Sequence, residues 1–263
     1  MQAVTGVFLS EAGARSAVEN LLANHVAANR VTLLTPGSGR KELNSIAVDA
    51  TEQPGMGKAV GALIGGASGI SGGGLLIAAL IPGVGPVTAI GLLGAAILGA
   101  AGASVGAVAG GSVENAMSEG LPEDEIFVYE DALRKGRTVV IALAEDAAAG
   151  EPIREILTSA GAETIDAARQ QWWVGLQSAE QEHYAATGRN FQEDERFYRL
   201  GFESALHAAS RCKEFDQTSA EMESQLEELE KQYPGVDLEE PYTRGYQRGR
   251  EYYQRFCNEQ KAA

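Results

Sequence analysis

The chain has few cysteines and a shortage of positive charge. Two of its 263 residues are cysteines, Cys212 and Cys257, which lie far apart and match no metal-ligand spacing. This usage indicates a reducing compartment. Its 21 Lys and Arg residues stand against 36 Asp and Glu, giving a formal net charge of −15. Because a nucleic-acid backbone is bound by clustered cations, no nucleic-acid partner is expected.

Motifs for catalysis and for cofactor binding are also missing. The three histidines are isolated, and none completes the Glu-x-x-His pairs of a dinuclear metal site. No Gly-x-Gly-x-x-Gly follows a predicted strand, and Gly57-Lys58 lacks the first glycine of a phosphate-binding loop. There is no Gly-x-Ser-x-Gly elbow. The sequence therefore predicts no enzyme, no metal and no cofactor.

The longest stretch without charge covers residues 59–113. These 55 residues also contain no aromatic ring and no histidine, but they hold 16 of the 32 glycines. Small residues recur at intervals of four, which places them on one stripe of a helix. Two prolines and two glycines interrupt the stretch at its centre and must break any helix there. The pattern predicts a glycine-zipper helical hairpin with arms over residues 60–80 and 87–113.

Two sets of residues define this predicted hairpin. The helix-packing and oligomerisation set consists of small residues on the two arms: Gly61, Gly65, Gly69, Gly73, Gly91, Gly99, Gly102, Gly106 and Gly110. The hairpin turn consists of Pro82, Gly83, Gly85 and Pro86.

Strand and helix patterns flank the glycine-rich stretch on both sides. Residues 3–9 and 31–34 read as strands around a helix that begins after Ser10, a favourable N-cap. Beyond the stretch, a helix opens at Pro122, residues 138–143 read as a strand, residues 152–159 as a helix and residues 163–165 as a short strand. Two βαβ units predict an α+β fold, a split ferredoxin-like sheet with its helices on one face and the helical hairpin inserted between strands two and three.

The same segments resemble a known family. The start Val4-Thr5-Gly6-Val7-Phe8-Leu9-Ser10, the insertion around Ile-Pro-Gly-Val-Gly-Pro and the continuation from Gly120-Leu121-Pro122 to Gly161-Ala162-Glu163 resemble bacterial heat-induced general stress proteins of the YflT type. The resemblance covers roughly residues 3–168. It implies a stress association and no catalytic residues.

An internal repeat marks the remainder of the chain as a separate helical tail. Its pattern is an aromatic residue, two further residues and a glycine, and it occurs three times: Trp172 with Gly175, Tyr198 with Gly201, and Tyr242 with Gly245. An aromatic and a glycine three apart share a helix face. The pattern favours three helices that cross closely at their glycines, and the alternative is a partner-binding surface made by the rings.

The tail also resembles Tyr-x-x-Gly-Tyr helical modules of bacterial stress-type proteins. The acids Glu193-Asp194-Glu195 are typical of a solvated helix start.

Helix boundaries in the tail also have local signals. Asn190 with Glu193 three residues later is a capping-box pattern, and Gly188 is predicted to end the preceding helix. Pro234-Gly235 is predicted to break the long helix before it.

The predicted organisation has four parts: the first half of the ferredoxin-like domain (1–50), the hairpin (51–120), the second half of the domain (121–168) and the tail (169–263). An arm of 21 residues would be about 31 Å long as a helix, enough to cross a bilayer core. The first 20 residues contain no apolar core of a secretory signal. We therefore expect attachment to the inner membrane with both termini cytoplasmic, and the alternative is a cytoplasmic protein.

Two functions follow from these expectations. The first is a non-catalytic, membrane-associated and self-associating scaffold or stress-response protein, whose partners are its own copies, the lipid bilayer and a protein bound by the tail. The second is a water-soluble structural subunit of a large complex, in which the hairpins build a hydrophobic core or conduit. An enzyme that uses the aromatic tail as a substrate pocket is a third possibility without a supporting motif.

Overall fold

A computed structural model describes residues 2–36, 76–81, 85–90, 125–207 and 219–262. The fold is α+β and mostly helical, with one antiparallel sheet and, in these ranges, seven α-helices. The chain divides into two compact units, Met1–Arg169 and Gln170–Ala263. The sequence places the start of the tail within one residue of this division.

The first unit is built on a sheet of six strands in the order β3-β4-β2-β5-β1-β6, in which all neighbours are antiparallel. The strands are Gln2–Phe8 (β1), Val31–Pro36 (β2), Leu76–Ile81 (β3), Gly85–Ile90 (β4), Thr138–Ala144 (β5) and Glu163–Thr164 (β6). The helices are Glu11–Ala23 (α1), Ile126–Arg134 (α2) and Ala147–Ser159 (α3), followed by the start of Ile165–Ala185 (α4).

Helices α1 and α3 cover one face of the sheet. Side chains from α1, including Ala14, Ala17 and Leu21, pack with alternate residues of β1 and β5 in a common core. The Ser10 hydroxyl accepts a hydrogen bond from the Gly13 amide and so caps α1. This cap satisfies an amide that has no partner inside the helix, which is the role predicted for Ser10.

Removal of this cap should destabilise the first unit. For Ser10→Ala we expect a loss of about 1 kcal/mol in the free energy of unfolding, the usual worth of such a cap. Hydrogen exchange of the α1 and β1 amides measures it. Ser16→Ala is the matched control, because Ser16 lies exposed in the same helix and caps nothing. Equal effects of the two changes would contradict a capping role.

Helix α2 lies on the opposite face of the sheet. The hydroxyl of Tyr129 lies 3.1 Å from the Thr5 hydroxyl. Thr5 alternates along β1 with Val4, which belongs to the core beneath α1 and α3. Both faces of β5 are therefore covered, and all seven of its residues are buried. The expectation that helices occupy one face only is wrong, because α2 carries apolar residues almost all round and must be buried on more than one side.

The predicted helical hairpin is wrong wherever the structure describes it. Strands β3 and β4 form an antiparallel β-hairpin in which Leu76 pairs with Ile90 and Ile81 pairs with Gly85. Strand β4 also pairs with β2, so the hairpin extends the sheet. A short apolar run suits a strand as well as a buried helix, and six-residue runs on each side of a three-residue connection fit a hairpin.

The predicted turn residues are divided between β4 and the connection. Gly85 and Pro86 lie in β4, and Pro82 and Gly83 are outside the described residues. The pairing of β4 with β2 ends at Val87, and Pro86 pairs only with Leu80 of β3. Because Pro86 lies outside the β2–β4 ladder, its missing amide hydrogen does not interrupt that ladder. The glycines predicted to pack the two arms are outside the described residues as well: Gly61, Gly65, Gly69, Gly73, Gly91, Gly99, Gly102, Gly106 and Gly110.

Helix α3 begins earlier than predicted. Its N-cap is Asp146, whose carboxylate accepts a hydrogen bond of 2.8 Å from the Ala149 amide. Pro152 therefore lies inside the helix and not at its first position. Proline is common at the first position of a helix, so Pro152 suggested a start there. Asp146 is the better indicator, because aspartate is a preferred N-cap residue.

The second unit is entirely helical in its described part. It contains the remainder of α4, then Phe191–Ser204 (α5), Ser219–Gln232 (α6) and Glu239–Ala262 (α7). Gly188 and Gly235 have positive φ angles of 74° and 81° in the connections before α5 and α7. The predicted cap at Asn190 is present, since its side chain accepts from the Gln192 amide and donates to Glu193.

Candidate functional site in the helical unit

Helices α5 and α7 cross with their backbones in contact. A Cβ atom added at Gly201 would lie closer than 3.0 Å to the carbonyl oxygen of Tyr242, and one added at Gly245 would lie equally close to that of Tyr198. Gly249, one turn further along α7, meets the Phe202 carbonyl oxygen in the same way. Glycine is required here because any side chain would force the two helices apart. The aromatic-glycine repeat thus brings its second and third copies together.

The first copy of the repeat behaves differently. Gly175 is exposed on α4, and a Cβ atom added there would meet no described atom within 4 Å. The close crossing predicted at Gly175 is therefore wrong. Its aromatic partner Trp172 is nevertheless buried, with its ring centroid 5.8 Å from that of Phe202.

The aromatic residues of the repeat form the core of the unit. Trp172, Tyr198 and Tyr242 are each no more than 2% exposed. Trp173 also packs here, and its ring lies 6.4 Å from that of Tyr198 and 5.8 Å from that of Phe202. The rings are therefore inside the unit and do not form an exposed partner surface.

A buried carboxylate connects three helices. Glu180 of α4 accepts a hydrogen bond of 2.7 Å from the Tyr198 hydroxyl of α5. Arg248 of α7 donates to both oxygens of the same carboxylate, at 3.0 and 2.9 Å. Such a bidentate pair is strong and directional. We call this group the Glu180 clamp.

A second carboxylate is held in the same manner. Asp194 of α5 is 8% exposed and accepts from the Tyr184 hydroxyl at 2.8 Å. Arg189 donates to both of its oxygens, at 2.7 and 3.1 Å, and also to Asp237 before α7. We call this group the Asp194 clamp. The expectation that Asp194 belongs to a solvated helix start is wrong, because its carboxylate is buried and paired.

Both clamps perturb the groups that form them. The hydrogen bonds from Arg189 lower the pKa of the Asp194 carboxyl below its usual value. Burial, together with the hydrogen bond to Asp194, raises the pKa of Tyr184 to about 12. Burial and the hydrogen bond to Glu180 also raise the pKa of Tyr198. Each phenol thus holds its proton in the folded unit more tightly than in an unfolded chain.

These shifts predict alkaline destabilisation of the helical unit. The contribution of Tyr184 is fully present below pH ~10 and is lost as the pH rises from ~10 to ~12, because the folded state has the higher pKa. Two units of pKa correspond to about 2–3 kcal/mol. Between pH 9 and pH 11, urea unfolding should show about half of this loss, roughly 1.3 kcal/mol, because pH 11 lies midway between the unfolded and folded pKa values, and Tyr184→Phe should reduce it. A pH dependence unchanged by Tyr184→Phe would contradict the assignment.

A third contact adds to the two clamps. The indole N–H of Trp173 and the amide of Gln177 both donate to Glu195 at 2.7 Å. Sequence reasoning missed Glu180, Asp194 and their arginines as interacting residues. One sequence signal could have indicated that Asp194 is buried. It lies three residues after Phe191 and three before Phe197, and so shares a helix face with two aromatic residues.

The described residues of this unit include the walls of a cavity and of a groove. A cavity of about 180 Å³ is lined by Tyr184, Tyr198 and Arg248 of the clamps together with His183 and Glu251. A more open groove of about 480 Å³ lies along the first turns of α7. Its walls are polar, with three acids against one arginine: Asp237, Glu239, Glu240, Thr243, Arg244 and Gln247. The clamp residues face the cavity with their polar atoms already engaged in contacts between helices.

No family profile, no curated protein and no solved structure matches the chain. The resemblance to YflT-type stress proteins therefore stays a prediction. In the ranges that the structure describes, no group of three or more His, Cys, Asp or Glu residues could hold a metal ion. Over the same ranges, no helix is both long and apolar enough to cross a membrane.

Proposed function

We propose that this protein is a non-catalytic, self-associating scaffold. The observation that carries the proposal is the position of β3 at the end of the sheet. The strand Leu76–Ile81 contains only Leu, Ile and Ala, and its outer edge pairs with no other described strand. Natural sheets protect such edges with charges, prolines or bulges, because an unprotected apolar edge is a template for pairing with another chain.

The helical unit supports a structural role. Its buried carboxylates, Glu180 and Asp194, are each neutralised by an arginine and a tyrosine that come from other segments of the unit. Groups held in this way fix the geometry of helices and are not available as an acid, a base or a nucleophile. In the proposed scaffold this unit is a rigid module, and its acidic groove along α7 receives a protein partner.

The scaffold is proposed to associate with a membrane through the charge-free residues that follow β4. Residues 91–113 are 23 residues without charge, and because β4 before them and β5 after them belong to one sheet, both of their ends lie on the same side of the membrane. They would therefore enter the bilayer and return to the same side without crossing it. Small residues at spacing four within them are typical of helices that associate in lipid. The second candidate is a structural subunit of a large particle outside the membrane, favoured by the inclusion of residues 76–81 and 85–90 in the sheet.

Carbonate extraction of cell membranes separates the two candidates. The membrane scaffold predicts that the full chain stays in the pellet and that the double change Ile97→Lys with Gly102→Lys releases it, because each central charge costs about 3 kcal/mol on insertion. Ser118→Lys, outside the charge-free stretch, is the control and should leave the chain in the pellet. Release of the unchanged chain as a large particle would instead support the second candidate.

The ferredoxin-like assignment and the stress association are part of the same proposal. The strand order β2-β5-β1-β6, with α1 and α3 as crossovers on one face, supports the ferredoxin-like assignment. Strands β3 and β4 would then be an addition to the four-stranded sheet of that fold. The stress association comes from the resemblance alone. An increase of the transcript after heat shock would support it, and an unchanged level would contradict it.

A further inference from the structure

Helix α6 is held more loosely than the other helices in the described part of the second unit. Helices α5 and α7 cross with their backbones in contact at Gly201 and Gly245, and the Glu180 clamp ties both of them to α4. Neither this clamp nor the Asp194 clamp contains a residue of α6. The backbones of α6 and α7 approach each other at few positions, so α6 depends on side-chain contacts.

These contacts come from one face of α6 and from the residue that follows it. A single cluster joins the apolar face of α6 to α7, and its members include Met222, Leu226, Leu229, Tyr242 and Tyr246. The Tyr242 hydroxyl also donates to Gln225 at 2.9 Å. After the end of α6, the Tyr233 ring lies 5.4 Å from that of Phe197 and 4.7 Å from the guanidinium carbon of Arg196, both on α5. The C-terminal end of α6 is therefore anchored on α5.

The closed position of α6 leaves one polar group unsatisfied. Tyr246 is 1% exposed, and its hydroxyl has no hydrogen-bond partner among the described residues. It belongs to the cluster that α6 covers. A buried hydroxyl without a partner is destabilising, because it has given up its hydrogen bonds to water. If α6 opened, this hydroxyl would return to water, so its cost applies to the closed position alone.

The outer face of α6 carries charges that repel one another. Glu223, Glu227 and Glu230 follow each other at intervals of four and three residues, and all three are exposed. None of them forms an ion pair with a residue that the structure describes. Like charges at these intervals destabilise a helix, and Glu230 also lies near the negative end of the helix dipole. Salt screens such repulsion between exposed charges.

We propose that α6 is a strap that opens and closes over its cluster with α7 as one unit, and that ionic strength sets the balance. Closing buries Met222 and forms the hydrogen bond between Tyr242 and Gln225. Opening relieves the repulsion among the glutamates and hydrates the Tyr246 hydroxyl. A helix of 14 residues is marginal by itself, so α6 loses its helical hydrogen bonds when it opens. The device requires no second copy of the chain, and it controls how much apolar surface the unit exposes.

Hydrogen exchange of the full chain, followed by mass spectrometry of its peptides, tests the strap. We expect the amides of residues 219–232 to exchange together and faster than those of residues 242–253 in α7. A rise in NaCl from about 10 mM to about 500 mM should slow exchange in α6 about threefold and leave that in α7 unchanged. One common rate for both helices, or a rate in α6 that does not respond to salt, would overturn the proposal.

Two tyrosine variants should act in opposite directions. Tyr246→Phe removes the unsatisfied hydroxyl and should slow exchange in α6 about tenfold relative to α7. Tyr242→Phe removes the hydrogen bond to Gln225 and should speed the same exchange about threefold. Unchanged or faster exchange in α6 with Tyr246→Phe would contradict the strap.

A glutamate variant separates charge from packing. Glu227→Gln removes the central charge of the outer face, so it should slow exchange in α6 about twofold and reduce its dependence on salt. Glu182→Gln is the matched control, because Glu182 is exposed on α4 and should affect neither quantity. Equal effects of the two changes would rule out repulsion within α6 as the force that opens the strap.

Discussion

Gly245→Ala should destabilise the helical unit by about 3 kcal/mol. The added methyl group would overlap the Tyr198 carbonyl oxygen, and a backbone atom cannot move aside without separating α5 from α7. Both tryptophans of the chain, Trp172 and Trp173, are in this unit and buried. Urea unfolding followed by tryptophan fluorescence therefore reports on it selectively.

The chain contains a matched control for this change. Gly175 occupies the equivalent position of the repeat, but it is exposed on α4 with open space around its Cα. Gly175→Ala should stabilise the unit by up to about 1 kcal/mol, because alanine has the higher helix propensity. If both changes stabilised the unit, or both destabilised it equally, the crossing at Gly245 would be refuted.

Glu180→Ala should have a comparably large effect, with a loss of about 3–5 kcal/mol. The side chain of Glu180 is 4% exposed and its partner Arg248 is 23% exposed. Removal of the carboxylate leaves a largely buried guanidinium and the Tyr198 hydroxyl without their shared acceptor. Breaking a buried pair in this way costs far more than the pair contributes when intact.

Two further variants test that explanation of the Glu180 clamp. Replacing all three groups with apolar ones, Glu180→Leu, Arg248→Met and Tyr198→Phe, should recover most of the lost stability, because no unpaired polar group remains. Lys231→Ala, which removes an exposed pair with Glu228, should change stability by less than about 0.5 kcal/mol. A triple variant no more stable than Glu180→Ala would contradict the clamp as the source of the loss.

Local signals in the sequence correctly predict several elements. Strands β1, β2 and β5 follow from short runs of β-branched and aliphatic residues, and α1 follows from the Ser10 cap and its apolar stripe. The cap at Asn190 and the breaks at Gly188 and Gly235 are equally local. These signals depend on a few neighbouring residues, so no tertiary information is needed.

The β-hairpin could not be assigned from the same kind of signal. Small residues at spacing four indicate a helix over residues 59–113 as a whole, but residues 76–81 and 85–90 hold few glycines and satisfy a strand equally well. The choice between them depends on the pairing of β4 with β2, in which the partners closest in sequence, Pro36 and Val87, are 51 positions apart. Long-range pairing of this kind overrides local propensity.

The two clamps were beyond sequence reasoning for a related reason. Tyr198 lies 18 positions after Glu180 in the sequence, and Arg248 lies 68 positions after it. The crossing of α5 and α7 at their glycines brings Tyr198 and Arg248 together, and the packing of α4 adds Glu180. The repeat predicts close helices at Gly201 and Gly245, but it does not specify which polar side chains the crossing brings into contact.

The mass of the purified full chain, measured by light scattering with and without detergent, tests the central claim most directly. A self-associating scaffold predicts a multiple of the chain mass in both conditions, after the mass of bound detergent is subtracted. A membrane-associated form also requires detergent to stay monodisperse. A single-chain mass in detergent-free buffer, at concentrations up to those of the cell, would contradict the account.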